Sequence, residues 1–336
     1  MVIASKITLK RNFKDFLFPS MISYEDSKII ASEIKNIFKS NRNFKIKEFS
    51  EKGSYSELFA LNSLNIVSDN FVNNDLEKLL VTNKDYTTTV CVNDTDHITI
   101  ESLTYDDKIL TLYDEVKKIE EKIDSKFPFA FDSKYGYLTS NLNIVGTGMI
   151  PSYFLHIPML ELSGQLQTIR NACNKFGYDI RPIFSHDEKS NGGFYEVYTK
   201  LTLGISDKEI LSNLKIMILK MVEKEKVLRN EILKKEKLRI TDEVNRAYGI
   251  IMNAKLIKHE EAEVLLSYVK LGSDMKLFDD SISHDLTKLN VFELLNSIND
   301  KALELEEDTN DKLILDSLRA KKIQDTFNDL KFKDIL

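Results

Sequence analysis

The chain has 336 residues, 42% hydrophobic and 30% charged, with 47 Lys+Arg against 53 Asp+Glu and a formal charge of −6. That balance excludes a disordered chain and a generally basic nucleic-acid binder, and the length suits about two domains with a sizeable core. Two cysteines, Cys91 and Cys173, exclude a disulfide framework and a four-cysteine zinc site, while the lack of a long apolar run or a signal-type start predicts a cytoplasmic protein with no membrane partner.

Residues 1–20 read as a short strand and a turn. Ser23, three residues before Asp26, is the predicted N-cap of a helix running to about Phe38, with Ile29, Ile30, Ile34, Ile37 and Phe38 on its apolar side. Residues 86–104 alternate as a hairpin about the polar turn Asn93-Asp94-Thr95-Asp96. A helix is predicted over 112–125, then strands over 137–145 and 153–157 on either side of Gly146-Thr147-Gly148. A helix over 160–176 precedes strand segments at 180–184 and 194–203. Ser206 and Glu209 form a capping-box signature for a long Lys- and Glu-rich helix over 210–238. From Ile240 onward strands disappear. Helices are predicted over 241–254, 259–271, 288–305 and 311–331, with Gly272 as a C-cap. The domain boundary falls near 238, between an α/β part (1–238) and a helical part (239–336).

Eight arginines against 39 lysines make it hard to build a site from several forked guanidinium groups. The Gly146-Thr147-Gly148 turn offers either anion-binding amides or a plain strand connection. Asp94, Asp96 and His97 read as a metal or acid–base cluster, or as a solvated turn. His186, Asp187 and Glu188, beside Asn191-Gly192-Gly193, carry the same two readings. The Lys/Glu run 220–238 reads as a solvated helix face. The five histidines show no metal-ligand spacing.

Several segments together resemble the bacterial protein-arginine kinases of the phosphagen (guanidino) kinase superfamily. They are FDSKYGYLTS from Phe131 to Ser140 with VGTG from Val145 to Gly148, GGFYEV from Gly192 and LTLG from Leu201, VNDTDHI from Val92, and SKITLKRN from Ser5. In the helical part they are ITDEVNRAYGI from Ile240, YVKLG from Tyr268, and DSLRA from Asp316. The resemblance implies an α+β fold, an antiparallel sheet flanked by helices, followed by an all-helical C-terminal regulatory domain. It also implies ATP with magnesium as cofactor, and Asp316 and Arg319 as members of a pocket for phosphoarginine, sharing one helix face at i,i+3.

The departures from the family pattern are part of the reading. Positions that the resemblance assigns to phosphate-gripping arginines hold Lys6, Thr8, Thr99 and Ile150, leaving Ser5, Lys6 and Arg181 for ATP. The positions of the two catalytic carboxylates hold Thr95 and His186, and that of the cysteine holds Asn141. Asp94 and Asp187 lie one position away, and a one-residue slip on an extended segment turns a side chain to the opposite face. Losing these groups removes donors that would neutralise a triphosphate. The resemblance thus implies a degenerate homologue, a pseudokinase with a regulatory or phosphoarginine-protein-binding role in bacterial protein quality control. The alternative is a divergent but working ATP-dependent protein-arginine kinase. The implied partners are protein clients or phosphoarginine-bearing proteins, an active arginine kinase or stress-protease machinery, and a second copy of the chain as a homodimer.

Overall fold

The strand β1 (Val2–Arg11) is polar and apolar by turns, and the two sides of that alternation meet different surroundings. The structure, a computed structural model, describes residues 1–49, 55–184, 190–279 and 286–332. In it β1 lies near the middle of an eight-stranded antiparallel sheet. With β2 (Lys45–Glu48), β3 (Leu79–Thr82), β4 (Thr88–Val92), β5 (Ile98–Thr104), β8 (Met149–His156), β9 (Tyr178–Pro182) and β10 (Phe194–Thr199), the order is β2-β3-β4-β5-β1-β8-β10-β9. Two short strands, β6 (Phe131–Asp132) and β7 (Gly136–Tyr137), form a separate ribbon.

One face of the sheet is covered by α1 (Tyr24–Phe38), α4 (Ile109–Asp124), α6 (Leu166–Lys175) and the first part of α7 (Asp207–Asn253). Ile7 and Leu9 meet Ile30, Ile34 and Phe38 of α1, Val116 and Ile123 of α4, and Leu214 and Ile218 of α7 there. Ser23 caps α1 by accepting from the Asp26 amide at 3.1 Å, and the Ser206–Glu209 capping box opens α7, both where the sequence puts them. On the opposite face, α2 (Tyr55–Ser63) and α3 (Asp69–Asn73) pack over β3 and β4 through Leu58, Leu61, Val67 and Phe71. The helices α8 (His259–Asp274), α9 (Val291–Ser297), α10 (Asp300–Glu307) and α11 (Lys312–Phe332) gather on a second core with Phe154 and Phe194. Among the described residues no helix is long and apolar enough to cross a membrane.

Several elements differ from the sequence expectation. Residues 137–145 do not form a strand: only Gly136–Tyr137 pairs, Leu142–Ile144 is a short 3-10 turn, and Gly146 and Gly148 adopt positive φ. The helix expected over 160–176 is two, α5 (Pro158–Leu162) and α6, broken at Gly164 with φ +68°. The helices expected over 210–238 and 241–254 are the two limbs of α7, which kinks at the non-helical Glu236, within a few residues of the expected break. The helix expected over 288–305 is α9 and α10, divided where Asn299 caps the second.

The Lys/Glu run is only partly solvated. Glu225 and Arg229 are buried, and Glu225 accepts from the amides of Met159 (3.2 Å) and Leu160 (2.8 Å). Arg229 bonds Glu225 at 2.7 Å, Asp274 at 2.9 Å and the His156 carbonyl at 3.1 Å. This staple joins α5, α7, α8 and the end of β8.

Gly272 is not a C-cap, because α8 continues past it to Asp274. A Cβ there would run into Val244 of α7 and the ring of Phe278. In an exposed helix interior Gly to Ala gains up to about 1 kcal/mol. Here Gly272→Ala is expected to lose about 1–3 kcal/mol by overpacking, read as a lower denaturant midpoint at unchanged slope. An unchanged or higher midpoint would contradict this packing.

Candidate functional site

The alternation of β1 decides what faces the cleft. Ser5, Ile7 and Leu9 turn to the core side, whereas Lys6 and Lys10 line an open cleft of about 970 Å³ on the other face. Cross-strand pairing extends that face: Thr8 lies opposite Glu101 on β5 and Ile150 on β8, Lys10 opposite Thr99, and Arg181 opposite Glu196.

Each cation on the floor is met by a carboxylate. Lys6 Nζ lies 3.5 Å from Glu101 Oε1, which also accepts from Thr8 Oγ1 at 2.7 Å. Arg181 sets Nε at 2.7 Å and Nη2 at 2.6 Å from one oxygen, Oε2 of Glu196, and stacks 4.8 Å over the Tyr198 ring. Burial works against the Lys6 charge, but Glu101 and then Glu196 outweigh it and hold the ammonium above its usual pKa. Burial and Glu196 oppose one another in the same way at Arg181, whose pKa is also raised. Lys10 Nζ donates to Thr95 Oγ1 at 2.5 Å and stands 3.7 Å from Asp96, and Arg170 stands 3.3 Å from Asp179. Asp85, Asp94 and Glu293 line the same cleft.

A triphosphate on this floor would meet a carboxylate beside Lys6 and beside Arg181. A polyanion needs donors whose charge is free for it, and here it would meet Glu101 and Glu196 beside the only two guanidinium or ammonium groups that the resemblance left for it. Thr99 supplies a buried hydroxyl whose oxygen has no partner, a neutral group in place of a fork. Among the described residues no group of three or more His, Cys, Asp or Glu side chains could hold a metal ion.

Of the residues the sequence singled out for nucleotide, Lys6 and Arg181 share this floor and Ser5 does not. Ser5 is fully buried on the other face of β1 and donates to the Asp106 carbonyl at 2.7 Å, so strand alternation removes it from the cleft. Thr95 is exposed beside Lys10, and its carbonyl accepts from Ser140 Oγ at 2.6 Å. Asn141, next in the chain, caps the 3-10 turn by accepting from Asn143 N at 3.0 Å. His186, with Asp187 and Glu188, lies outside the described residues.

In the Asp94-Thr95-Asp96-His97 turn Thr95 is exposed, whereas the Asp94, Asp96 and His97 side chains are buried and engaged. Asp94 accepts from Ser68 Oγ at 2.7 Å and Asn70 Nδ2 at 3.2 Å, which fixes its carboxylate toward α3. Asp96, fully buried, accepts from Asn12 Nδ2 at 2.6 Å and Ser140 N at 2.7 Å. His97, also fully buried, takes the Phe13 amide on Nδ1 at 3.1 Å and donates Nε2–H to the Leu17 carbonyl at 2.9 Å. Asp96 and His97 bolt the hairpin turn to the segment that follows β1, and Asp94 ties it to α3.

Asp316 and Arg319 do share a helix face, but it points inward. Arg319 is fully buried and donates from Nε to the Ile298 carbonyl at 2.9 Å, and from Nη1 to the Ile257 carbonyl at 2.8 Å and Asp316 at 2.7 Å. Its Nη2 bonds Asp300. The guanidinium thus ties α11 to the α7–α8 and α9–α10 connections, and it cannot fork onto a phosphate without leaving those acceptors buried and unpaired.

Glu101 and Glu196 are the residues that sequence reasoning missed. Glu101 carried a usable signal: it stands two residues beyond Thr99 on one strand and so faces the same way.

The sequence and fold were compared with known proteins. The ATP:guanido phosphotransferase C-terminal catalytic domain matches residues 26–228, and the protein-arginine kinase McsB C-terminal domain matches residues 237–335. A protein-arginine kinase of Clostridium tetani is 31% identical over 292 residues, covering 87% of this chain and 86% of its own. One of Clostridium kluyveri is 32% identical over 293 residues, covering 86% and 85%. Among solved structures, a lombricine kinase aligns with TM-score 0.61 at 14% identity, over 68% of this chain and 67% of that one. The substrate-free duplicated taurocyamine kinase of Schistosoma mansoni aligns with TM-score 0.60 at 16% identity, over 78% of this chain and 39% of that one. At such identities the structures share the fold alone.

The buried turn gives a pH test. Burial drives the His97 pKa down to about 4, against the pull of the Leu17 carbonyl and Asp96. In the unfolded chain the imidazole protonates near 6.5, so the stability it contributes is full above that value and is lost as pH falls from about 6.5 toward 4. Between pH 6 and 4.5 the unfolding free energy should fall more steeply in the wild type than in His97→Asn, by about 1.4 kcal/mol per pH unit. Parallel slopes would show that His97 is already protonated in the fold.

Proposed function

We propose that this chain, which belongs to the protein-arginine kinase family of ATP:guanido phosphotransferases, is a degenerate member that no longer phosphorylates arginine and acts by binding other proteins. The observation that carries this reading is the pairing of Lys6 with Glu101 and of Arg181 with Glu196 on the cleft floor. Beside them stand Thr8, Thr99 and Ile150, none of which can neutralise a migrating phosphoryl group. Thr95 supplies no carboxylate to orient a guanidinium, and the neighbouring Asp94 is turned to Ser68 and Asn70. One lost preorganised electrostatic group costs about 10²–10³ in rate. Several losses need not multiply, but two already leave little.

The role that fits is regulatory: a partner of an active arginine kinase or of stress-protease machinery, in bacterial protein quality control. With Arg319 held by four acceptors, phosphoarginine reading by the Asp316–Arg319 pair is set aside. The second reading, a working ATP-dependent protein-arginine kinase, rests on the family and on the names of its relatives.

The two readings separate in one assay. With Mg-ATP and an arginine-rich protein at neutral pH, mass spectrometry should find no acid-labile phosphate on arginine above the control without ATP. Phosphoarginine that depends on ATP and on this protein would overturn the proposal.

A further inference from the structure

The helical C-terminal part reaches back over the cleft from two directions. From α9, Phe292 seats against Phe154 of β8 with ring centroids 4.6 Å apart, against Tyr105 at 6.3 Å and against Phe184 at 6.2 Å. It is buried there, although α9 belongs to a different part of the chain from the sheet. One turn on, Asn65 Nδ2 donates to Asn296 Oδ1 at 3.1 Å, and Asn299 Nδ2 donates to the Ser63 carbonyl at 2.8 Å. These bonds join residues 231 and 236 positions apart, and α10 packs directly on α2. The segment Leu64–Ser68 and the α9 face carrying Phe292, Glu293, Asn296 and Ser297 therefore meet in the lining of the cleft that holds Lys6 and Arg181.

We propose that the C-terminal helical part is a clasp on the cleft wall: the Asn65–Asn296 and Asn299–Ser63 hydrogen bonds, with Phe292 seated on Phe154, hold α2 and α9 together, and the cleft widens when the clasp lets go. Amide–amide bonds at a wet surface hold weakly one by one. The aromatic seat, with the Phe292 and Phe154 rings tilted at 50°, supplies the apolar hold, while the amides set which residues face each other. If a ligand binds only the widened form, its apparent affinity falls by the fraction of molecules that are widened. Any partner that pulls α9 or α10 from this position widens the cleft by the same linkage.

The two cysteines give a test that needs no ligand, so it stands or falls separately from the loss of kinase activity. Cys91 is 4% exposed and lies under Leu61 and Val67 at the clasped wall, lining the cleft. Cys173 is 3% exposed on the far side of the sheet, 3.0 Å from the Met217 sulfur. Asn299→Asp keeps the acceptor that caps α10, which bonds the Ala302 amide at 2.9 Å, and removes the donor to Ser63. Asn65→Gly suits its left-handed φ of +57° and removes the other bond. In the native full chain, N-ethylmaleimide should modify Cys91 about tenfold faster in the double variant Asn65→Gly, Asn299→Asp than in the wild type, with Cys173 unchanged. Phe292→Ala should show the same selectivity. Unchanged Cys91 labelling in all variants, or equal acceleration of both cysteines, would overturn the clasp.

Discussion

A buried guanidinium sets the register on which this molecule depends. Arg11, at the end of β1, is 1% exposed and lies 3.5 Å over the Tyr137 ring. Its Nε and Nη2 take one Glu120 oxygen at 2.7 and 2.6 Å, and its Nη1 takes the carbonyls of Lys10 and Thr147 at 2.7 and 2.8 Å. A buried charge that lost such partners would cost several kcal/mol, so β1 is anchored to α4 and to the glycine turn before β8 at one position only. A slip of one residue would exchange its faces, sending Ile7 and Leu9 into the cleft and Lys6 and Lys10 into the core. The composition of the cleft follows from that anchor.

What the cleft then presents is a floor of internal ion pairs rather than a cradle of free cations. Glu101 and Glu196 are each aimed at the cation beside them, and each also faces the space a phosphate would enter. Lysine in place of arginine compounds the effect, because a single ammonium engaged by Glu101 has no fork to spare. The fold of the guanidino kinases is thus kept while the charge pattern of its cleft is balanced from within. Strength is retained where packing needs it, in Arg11, Arg229 and Arg319, three of the eight arginines, all of them buried. These three serve as structural mortar.

Much of this was legible in the residues. The Ser23 cap, the hairpin around Asn93 and the Ser206–Glu209 capping box follow from local patterns, and the antiparallel sheet with its helical tail is what the family resemblance implies. What was hidden depended on contacts far apart in the chain. The strands β2 and β3 have four residues each, too short for periodicity to speak. Gly272 looks like a helix stop until Val244 is seen beside it. Arg319 looks like a surface partner of Asp316 until Ile257, Ile298 and Asp300 close around it. The same applies to the cleft: the hydroxyl and apolar substitutions at Thr8, Thr99 and Ile150 can be read from the sequence, but the neutralising role of Glu196 requires knowing that β9 and β10 pair in register.

The central claim is that these two carboxylates cancel the cleft's affinity for nucleotide, and calorimetric titration of Mg-ATP tests it most directly. The wild type should show no saturable binding tighter than about 1 mM, whereas Glu101→Gln with Glu196→Gln, which frees Lys6 and Arg181, should bind at least about tenfold more tightly, on the scale of one released charge pair. Micromolar binding by the wild type that Arg181→Ala abolishes would contradict the account.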